Sequence, residues 1–190
     1  MEYDGKRFER VRYDADVKLH IYSECVFARC HFEDIALKDI VFSNCRFESC
    51  TFRNVDVSGL RMQNMALFEC ACIGIDWSEA RRTGKLFPFF KEIRACTLKF
   101  NNFFRMKIAK LSVEDSSLLD CAFMECDLSG SVFRNVDFQD TTFQECDLAK
   151  ADFREARNYR INTTSNRVRK ARFSLPEVVG LLDNLDVIIE

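Results

Sequence analysis

The stretch "CVFARCHFEDIALKDIVFSNCRFESCTFRNVDV" at residues 25–57 repeats every five residues. An apolar side chain returns at each fifth position, here called the central slot, and a second returns two residues earlier, here called the small slot. The central slot holds Phe27, Phe32, Leu37, Phe42, Phe47, Phe52 and Val57, and the small slot holds Cys25, Cys30, Ile35, Ile40, Cys45, Cys50 and Val55. A helix repeats every ~3.6 residues and a strand every ~2, so neither produces this pattern. The period predicts a coil that points two of every five side chains inward.

The period extends well beyond this stretch. It runs from Val17 to Trp77 and resumes, one residue out of phase, from Leu98 to Phe153. Such coils bury their apolar faces on one another and form a stacked solenoid. Of the ten cysteines, nine occupy the small slot and Cys72 a central slot, which predicts reduced, buried thiols that pack as small hydrophobes. Their spacing is not the Cys-x-x-Cys of structural zinc, so we expect no metal site.

The pattern breaks at "SEARRTGKLFPFFKEIRA", residues 78–95. Trp77 and Leu98 are 21 residues apart, which would correspond to one coil plus one residue. We therefore expect a loop at about 79–94 that leaves one corner of the stack. Its aromatic side chains could fold back over a gap, or the loop could contact a partner, as irregular excursions from rigid scaffolds often do. The candidate partner-binding residues in it are Arg81, Arg82, Lys85, Leu86, Phe87, Phe89 and Phe90.

The C-terminal segment 174–190 departs from the period. Ser174 and Glu177 have the spacing of a helix capping box, an apolar helical stripe follows, and the chain ends on a strand-like Val-Ile-Ile run. A solenoid end exposes apolar rungs and unpaired edges that something must cover. The segment could only cap its own chain, or it could form a homodimer. The candidate dimer interface is Leu181, Leu182, Leu185, Val187, Ile188 and Ile189.

Charge is uneven along the chain. Residues 114–155 hold eleven acids and three bases, a net charge of −8, while the whole chain carries −2. The acids occupy outward slots, and many recur one coil apart. This acidity could serve solubility alone, or it could form an anionic face for a cationic partner. The candidate acidic face is Asp120, Glu125, Asp127, Asp137, Asp140, Glu145 and Asp147.

The repeat resembles that of the pentapeptide-repeat family, whose loose consensus is a small residue, a polar residue, Leu or Phe, and two polar residues. The resemblance implies an all-β fold, a right-handed quadrilateral β-helix with four pentapeptides per coil, over residues 1–173. The centres found here make about six coils, and at ~4.8 Å per strand spacing the stack is roughly 30 Å long. The C-terminal helix and terminal strand of 174–190 look like the dimerising tail of the quinolone-resistance (Qnr) and microcin-immunity subgroup.

The subgroup resemblance implies a function. Such proteins are thought to mimic DNA, to engage a type II topoisomerase (DNA gyrase or topoisomerase IV) and to protect it from quinolones or peptide toxins, which confers antibiotic resistance. The alternative is an interaction scaffold with an unrelated protein partner. A gyrase protection assay distinguishes the two.

Other function classes find little support in the sequence. Only His20 and His31 are present, and neither lies near a residue placed as a nucleophile. No glycine-rich phosphate loop occurs, so we expect no catalytic residue, no cofactor and no enzymatic activity. The basic segment at 79–94 is short and the rest of the surface is not expected to be basic, so we expect no nucleic-acid partner. The absence of an apolar membrane span and of an apolar signal core predicts a cytoplasmic protein without membrane contact.

Overall fold

A computed structural model describes residues 1–13, 17–83, 87–182 and 185 of the chain. The chain winds into a four-sided parallel β-solenoid, which confirms the predicted fold class. Every strand pair is parallel and joins neighbouring coils, as Arg46–Glu48 does with Val26–Ala28. In undisturbed coils the offset between partners is the predicted twenty residues, as for Phe27 and Phe47.

The four faces are defined by their strands, which are mostly three residues long. Face one has Glu2–Asp4, Ile21–Ser23, Val41–Ser43, Arg61–Gln63 and Arg81–Arg82. Face two has Arg7–Glu9, Val26–Ala28, Arg46–Glu48, Met65–Phe68, Phe90–Arg94, Ser112–Glu114 and Val132–Arg134. Face three has Arg12–Tyr13, His31–Glu33, Thr51–Arg53, Ala71–Ile73, Thr97–Lys99 and Ser117–Leu119. Face four has Val17–Lys18, Leu37–Lys38, Asn102–Phe104, Ala122–Met124, Thr142–Gln144 and Arg160–Ile161.

Single β-bridges continue the faces where regular strands stop. Face one continues through the bridges Lys107–Asp127, Asp127–Asp147 and Asp147–Arg167. Bridges between Ser117, Asp137 and Arg157 extend face three in the same way. We name each corner by the faces that it joins, so that the three–four corner follows face three.

The corners explain how five residues make one side of the square. The residue two after a central slot is left-handed in all regular pentads, with the exception of Glu79 after Trp77, and the non-glycine residues in this conformation have φ between 48° and 67°. Asn44 and Asn64 stack in the one–two corner and Asn54 lies in the three–four corner, and asparagine tolerates this conformation better than most residues. One left-handed residue per pentad turns the chain, which is why few glycines and prolines suffice.

The core is a column of central-slot side chains. Phe27 stacks on Phe47 with ring centroids 4.8 Å apart, and Phe32 stacks on Phe52 at 4.7 Å. These side chains are almost wholly buried. Each buried phenylalanine contributes about 1.5–3 kcal/mol through loss of apolar surface, so the repeated column is the main source of stability.

The small slot does more than fill space. Cys50 Sγ contacts the carbonyl oxygens of Phe27 (3.2 Å) and Glu48 (3.4 Å), and it accepts the backbone N–H of Cys30 at 3.4 Å. Ser131 and Thr141 make the same kinds of contact with their hydroxyls. Where the slot holds cysteine, serine or threonine, the side chain therefore bonds backbone groups left over at the corner, whereas Ile35, Ile40 and Val55 in the same slot have no group that can do so. The prediction that its cysteines are only small hydrophobes was incomplete.

All ten cysteines are free and buried, as predicted. Burial raises the pKa of the Cys45 thiol to about 12 and that of Cys121 to about 11. Both thiols therefore remain protonated at neutral pH, which suits their role as donors to backbone carbonyls.

Asn101 is the polar exception in the small slot and is fully buried. Its Nδ2 donates to the carbonyls of Cys72 (2.8 Å) and Lys99 (2.9 Å). Its Oδ1 accepts the indole N–H of Trp77 at 2.9 Å. The amide thus replaces a thiol toward the backbone and also satisfies the one tryptophan of the chain.

The stack has about eight turns rather than the six predicted. Residues 2–13 form a coil of their own, in which Phe8 pairs with Phe27 at an offset of nineteen. The same offset relates Tyr13 to Phe32, so Phe8 and Tyr13 lie one residue out of phase with the period that starts at Val17. At the other end, Phe173 stacks on Phe153 at 5.4 Å and adds a further level.

The break at 79–94 is shorter than predicted and contains a larger insertion. Arg81–Arg82 still pairs with face one, and Phe90–Arg94 already pairs with face two. Leu98 pairs with Cys72, 26 residues earlier, and not with a position set by Trp77. The break therefore contains one coil of twenty residues plus an insertion of six. The excursion is therefore confined to the residues between Arg82 and Phe90. The spacing of 21 residues used in the sequence analysis compared Trp77 with Leu98, which lie on different faces.

The C-terminal segment begins with a 3-10 helix at Glu177–Leu182. The two capping-box residues do not cap it. Ser174 Oγ accepts the N–H of Glu155 at 3.3 Å, and Glu177 Oε2 accepts the N–H of Asn158 at 3.2 Å. In regular coils a backbone carbonyl nineteen residues later fills this role, as Gln144 does for Glu125. These side chains thus complete the last coil in place of a coil that is absent.

Candidate protein-binding surfaces

The predicted acidic residues surround face four in the C-terminal half. Asp120 and Asp140 lie in the three–four corner, and Glu125 and Glu145 lie in the four–one corner. Asp137 lies on face three, and Asp127 and Asp147 lie on face one. The seven acids form a curved surface that wraps face four instead of one straight ridge. We call it the acidic surface.

Three of the seven have a local structural role. Asp127, Asp137 and Asp147 are half-buried at the start of a pentad. Each accepts the backbone N–H two residues later, which for Asp147 is Ala149 N at 2.9 Å. This is an Asx turn, for which aspartate is a preferred residue. Fold alone therefore accounts for these three positions.

Cations from neighbouring coils neutralise part of the acidic surface. Arg105 Nε lies 2.7 Å from Glu125, Arg157 Nε lies 3.1 Å from Asp137, and Arg167 Nη1 lies 3.3 Å from Asp147. Lys99 Nζ lies 3.9 Å from Asp120. Exposed pairs of this kind contribute about 0–1 kcal/mol to stability, so their main consequence here is to lower the net charge of the surface.

The free charge is concentrated at Asp140 and Glu145. Both are exposed, and neither makes an ion pair with any residue in the described ranges. They lie on the two corners that border the strand Thr142–Gln144. These two carboxylates therefore leave unpaired negative charge on both sides of face four at that coil, next to the exposed Arg160 of the neighbouring strand.

Two exposed aromatic rings lie on the same side of the solenoid, two coils before Asp140 and Glu145. Phe100, in the three–four corner, is 54% exposed, and Phe104, on face four, is 37% exposed. The ammonium of Lys99 lies 4.7 Å from the first ring centroid, and the guanidinium of Arg105 lies 4.7 Å from the second. Sequence analysis missed both rings, although each is a phenylalanine outside the central and small slots.

The predicted partner-binding loop divides into buried and exposed members. Phe90 is buried and packs edge-on against Trp77 at 5.2 Å, so its assignment to a partner-binding site was wrong. Phe89 also packs against the core. These two rings cover the gap where the stack is interrupted, which was one of the two expected roles.

The remaining loop candidates differ in their exposure. Phe87 is 40% exposed and Arg81 is exposed, whereas Arg82 is half-buried in a central-slot position opposite Met62. A long arginine stem can occupy such a slot with its charge in water. Lys85 and Leu86 lie outside the described residues.

The C-terminal segment presents apolar side chains beyond the last coil. Leu181 packs against the core, while Leu182 is 38% and Leu185 39% exposed. Leu175 (79%) and Val179 (41%) add to this exposed apolar area. The predicted interface residues Val187, Ile188 and Ile189 lie outside the described part of the chain.

The described residues contain no cluster of three or more histidine, cysteine or acidic side chains arranged to hold a metal ion. Among the same residues, no helix has the length and apolarity that a membrane crossing requires.

Comparison with known proteins places the fold. The family model for pentapeptide repeats (8 copies) matches residues 121–157, and the model for the SV2A/B/C luminal domain matches residues 1–72. No curated protein sequence matches the chain.

Solved structures extend the likeness to the whole chain. A trypsin-treated variant of QnrB1, a plasmid-mediated fluoroquinolone resistance protein, aligns with a TM-score of 0.62 at 17% identity, covering 100% of this chain and 99% of that one. A second trypsin-treated QnrB1 variant aligns at 0.54 and 16%, covering 100% of both chains. At this identity the likeness concerns the fold. The five-residue period, the four-sided parallel solenoid and the repeat model matched at residues 121–157 together confirm the resemblance of this chain to pentapeptide-repeat proteins.

Proposed function

We propose that this protein mimics DNA, engages DNA gyrase or the related topoisomerase IV through its acidic surface, and protects the enzyme from a quinolone or peptide toxin. The observation that carries the proposal is the recurrence of carboxylates from coil to coil on both sides of face four. Asp120 and Asp140 lie one coil apart in one corner, and Glu125 and Glu145 lie one coil apart in the other, so each row repeats at about 4.8 Å. Phosphates along one strand of duplex DNA repeat at about 3.4 Å, so the two spacings are of similar size.

The exposed rings give the surface an apolar component. Aromatic side chains often anchor protein interfaces, and Phe100 and Phe104 border the coils that carry the acids. A partner that binds DNA through a basic groove would meet carboxylates and two rings on one side of the rod. The fold likeness to QnrB1, described as a fluoroquinolone resistance protein, supports the same choice of partner.

We also propose that the active form is a homodimer joined at the C-termini and located in the cytoplasm. The exposed Leu175, Val179, Leu182 and Leu185 support the dimer, because isolated apolar area beyond a solenoid end favours association. Ten free thiols support a reducing compartment. Sedimentation of the intact chain should show a dimer, and the variant L175Q/V179Q/L182Q/L185Q should be a monomer.

A gyrase supercoiling assay tests the function. The purified protein should restore supercoiling in the presence of a fluoroquinolone. The variant D140N/E145Q should need roughly tenfold more protein for the same rescue, since it loses the unpaired charges of the interface. D39N is the matched control because Asp39 occupies the same four–one corner, with φ 57°, in a distant coil.

Rescue that is equal in wild type and D140N/E145Q would remove the acidic surface from the mechanism. No effect on gyrase or topoisomerase IV at micromolar protein would refute the proposed function and leave an interaction scaffold with another partner. The contribution of the loop is tested by F87A. Deletion of 81–92 is unsuitable, since it removes strands that belong to faces one and two.

A further inference from the structure

A basic groove lies along face one and the one–two corner, next to the edge of the acidic surface at Asp127. It is a cleft of about 360 Å³ beside the inserted loop, lined by Asn64, Arg82, Phe87, Pro88, Phe90, Lys91, Lys107, Ala109 and Lys110. We propose that this groove binds single-stranded nucleic acid through its phosphates and one base. The inference concerns a separate surface and does not rest on the proposed topoisomerase function.

The first argument is the charge of the lining. Four cationic side chains, Arg82, Lys91, Lys107 and Lys110, border the groove, and none of the described residues that line it carries a carboxylate. None of the four makes an ion pair or a side-chain hydrogen bond with any residue that the structure describes. Most other arginines of the solenoid have an acid within 4 Å, as Arg94 has Glu114. These four charges are therefore free to bind an anion.

The nearest acid along face one is already occupied. Asp127 is bridged to Lys107 in the next coil, but its Oδ1 accepts both Ser129 N (3.0 Å) and Ser129 Oγ (2.7 Å). These bonds hold the carboxylate in its own turn. The negative charge of Asp127 reduces the positive potential of the groove, but the carboxylate forms no ion pair with Lys107.

The second argument distinguishes nucleic acid from an acidic peptide. Phe87 is 40% exposed at the edge of the same groove, next to Pro88. Proteins that hold single strands combine cations that follow the phosphates with exposed rings on which bases stack. A carboxylate peptide has no use for such a ring, and a paired duplex does not offer it a base face.

The fold explains why the sequence predicted no nucleic-acid partner. Lys107 and Lys110 lie about a coil beyond Arg82 in the sequence, separated from it by the loop. Only the six-residue insertion, with its offset of 26, brings the loop and these lysines to one face. In the linear sequence the four cations look dispersed.

The test is fluorescence anisotropy of a labelled twelve-residue oligo(dT) with the full chain. Four cationic contacts to a single strand predict a salt slope of about −2.8, so the affinity should fall about 50-fold between 50 and 200 mM salt. The variant K107Q/K110N should fall only about sevenfold, because two contacts remain. F87A should weaken binding by about tenfold at either salt concentration, as expected for loss of base stacking.

The control variant is K150N. Lys150 occupies the same one–two corner as Lys110, with φ 62° against 60°, but lies two coils beyond the groove. Asparagine suits both positions, since Asn44 and Asn64 occupy this corner in earlier coils. Far-UV circular dichroism verifies that each variant is folded.

Each outcome decides the proposal. Binding that K107Q/K110N weakens and K150N preserves supports it, and competition by ATP in addition would assign the site to a single nucleoside phosphate. Equal losses in K107Q/K110N and K150N would reduce the effect to general charge attraction and overturn the site. Displacement of the oligonucleotide by polyglutamate at equal charge, or no binding at 50 mM salt, would also overturn it.

Discussion

Replacement of Asn101 by alanine should be among the most destabilising single changes in this solenoid. The side chain is fully buried and makes three hydrogen bonds, to Trp77, Cys72 and Lys99. An unpaired buried indole N–H costs about 1–3 kcal/mol, and each carbonyl that loses its donor about 1 kcal/mol. N101A should therefore lower the free energy of unfolding by roughly 3–5 kcal/mol.

A double-mutant cycle separates the indole contribution from the rest. In a W77F background the N–H is absent, so N101A should cost only about 2 kcal/mol, which leaves a coupling of about 1–3 kcal/mol. N101S is an intermediate case, since Ser131 shows that a hydroxyl in this slot reaches a backbone carbonyl. It should cost about 2 kcal/mol, because Trp77 remains unpaired.

Urea unfolding followed by far-UV circular dichroism measures all four members of the cycle by one signal. The fluorescence of Trp77, the only tryptophan, reports separately on the local environment in N101A. A loss below about 1 kcal/mol for N101A, or a coupling near zero, would refute the idea that this amide organises the core.

The remaining predictions concern the small slot, the loop, the cap and pH. C70S should retain about 1–2 kcal/mol more stability than C70A, because a hydroxyl can still bond the carbonyls that Cys70 Sγ contacts; the reverse order in urea unfolding would restore a purely hydrophobic role. F90A should cost about 3–5 kcal/mol in the same assay, since the ring is buried against Trp77; a small cost would mean that Phe90 belongs to a surface loop after all. S174A should leave the N–H of Glu155 unpaired and cost about 1 kcal/mol, with faster amide exchange at that residue as the local readout and unchanged exchange as the contrary result. Arg154, and then Arg172, lower the pKa of Asp152 in the folded protein. The ionised carboxylate therefore stabilises the fold above its unfolded pKa of about 3.9, and this contribution is lost as the pH falls through the folded pKa. The stabilities of wild type and D152N should differ at about pH 7 and converge near pH 2, and a difference that stays constant with pH would contradict this.

The five-residue period predicted the inside and the outside of the coil with few errors. A central-slot side chain such as Phe47 faces the core in every coil, because each coil buries it on identical neighbours. The same regularity exposed the break, the acidic block and the distinct C-terminal segment. These features depend only on the local pattern of residues, so they can be predicted from one sequence.

What the period could not predict depends on contacts between coils. The partner of Glu125 is Arg105, twenty residues away, and such pairs follow from register and not from sequence neighbours. The insertion was misjudged because offsets of 21 and 26 both keep apolar residues inward, and only pairing on all faces distinguishes them. Hydrogen bonding in the small slot was missed because cysteine, serine and asparagine share little in hydropathy but reach the same carbonyls.

Ser174 and Glu177 also act as a terminator. Each coil presents unpaired backbone N–H and C=O groups to the next coil, and a strand from another chain can pair with them as well as a strand from the same chain. Ser174 and Glu177 accept the N–H groups of Glu155 and Asn158 in the last coil, so these groups are not left to pair with a strand of a second molecule. Removal of both acceptors would leave a reactive edge, and end-to-end polymerisation of folded rods would then compete with the discrete assembly.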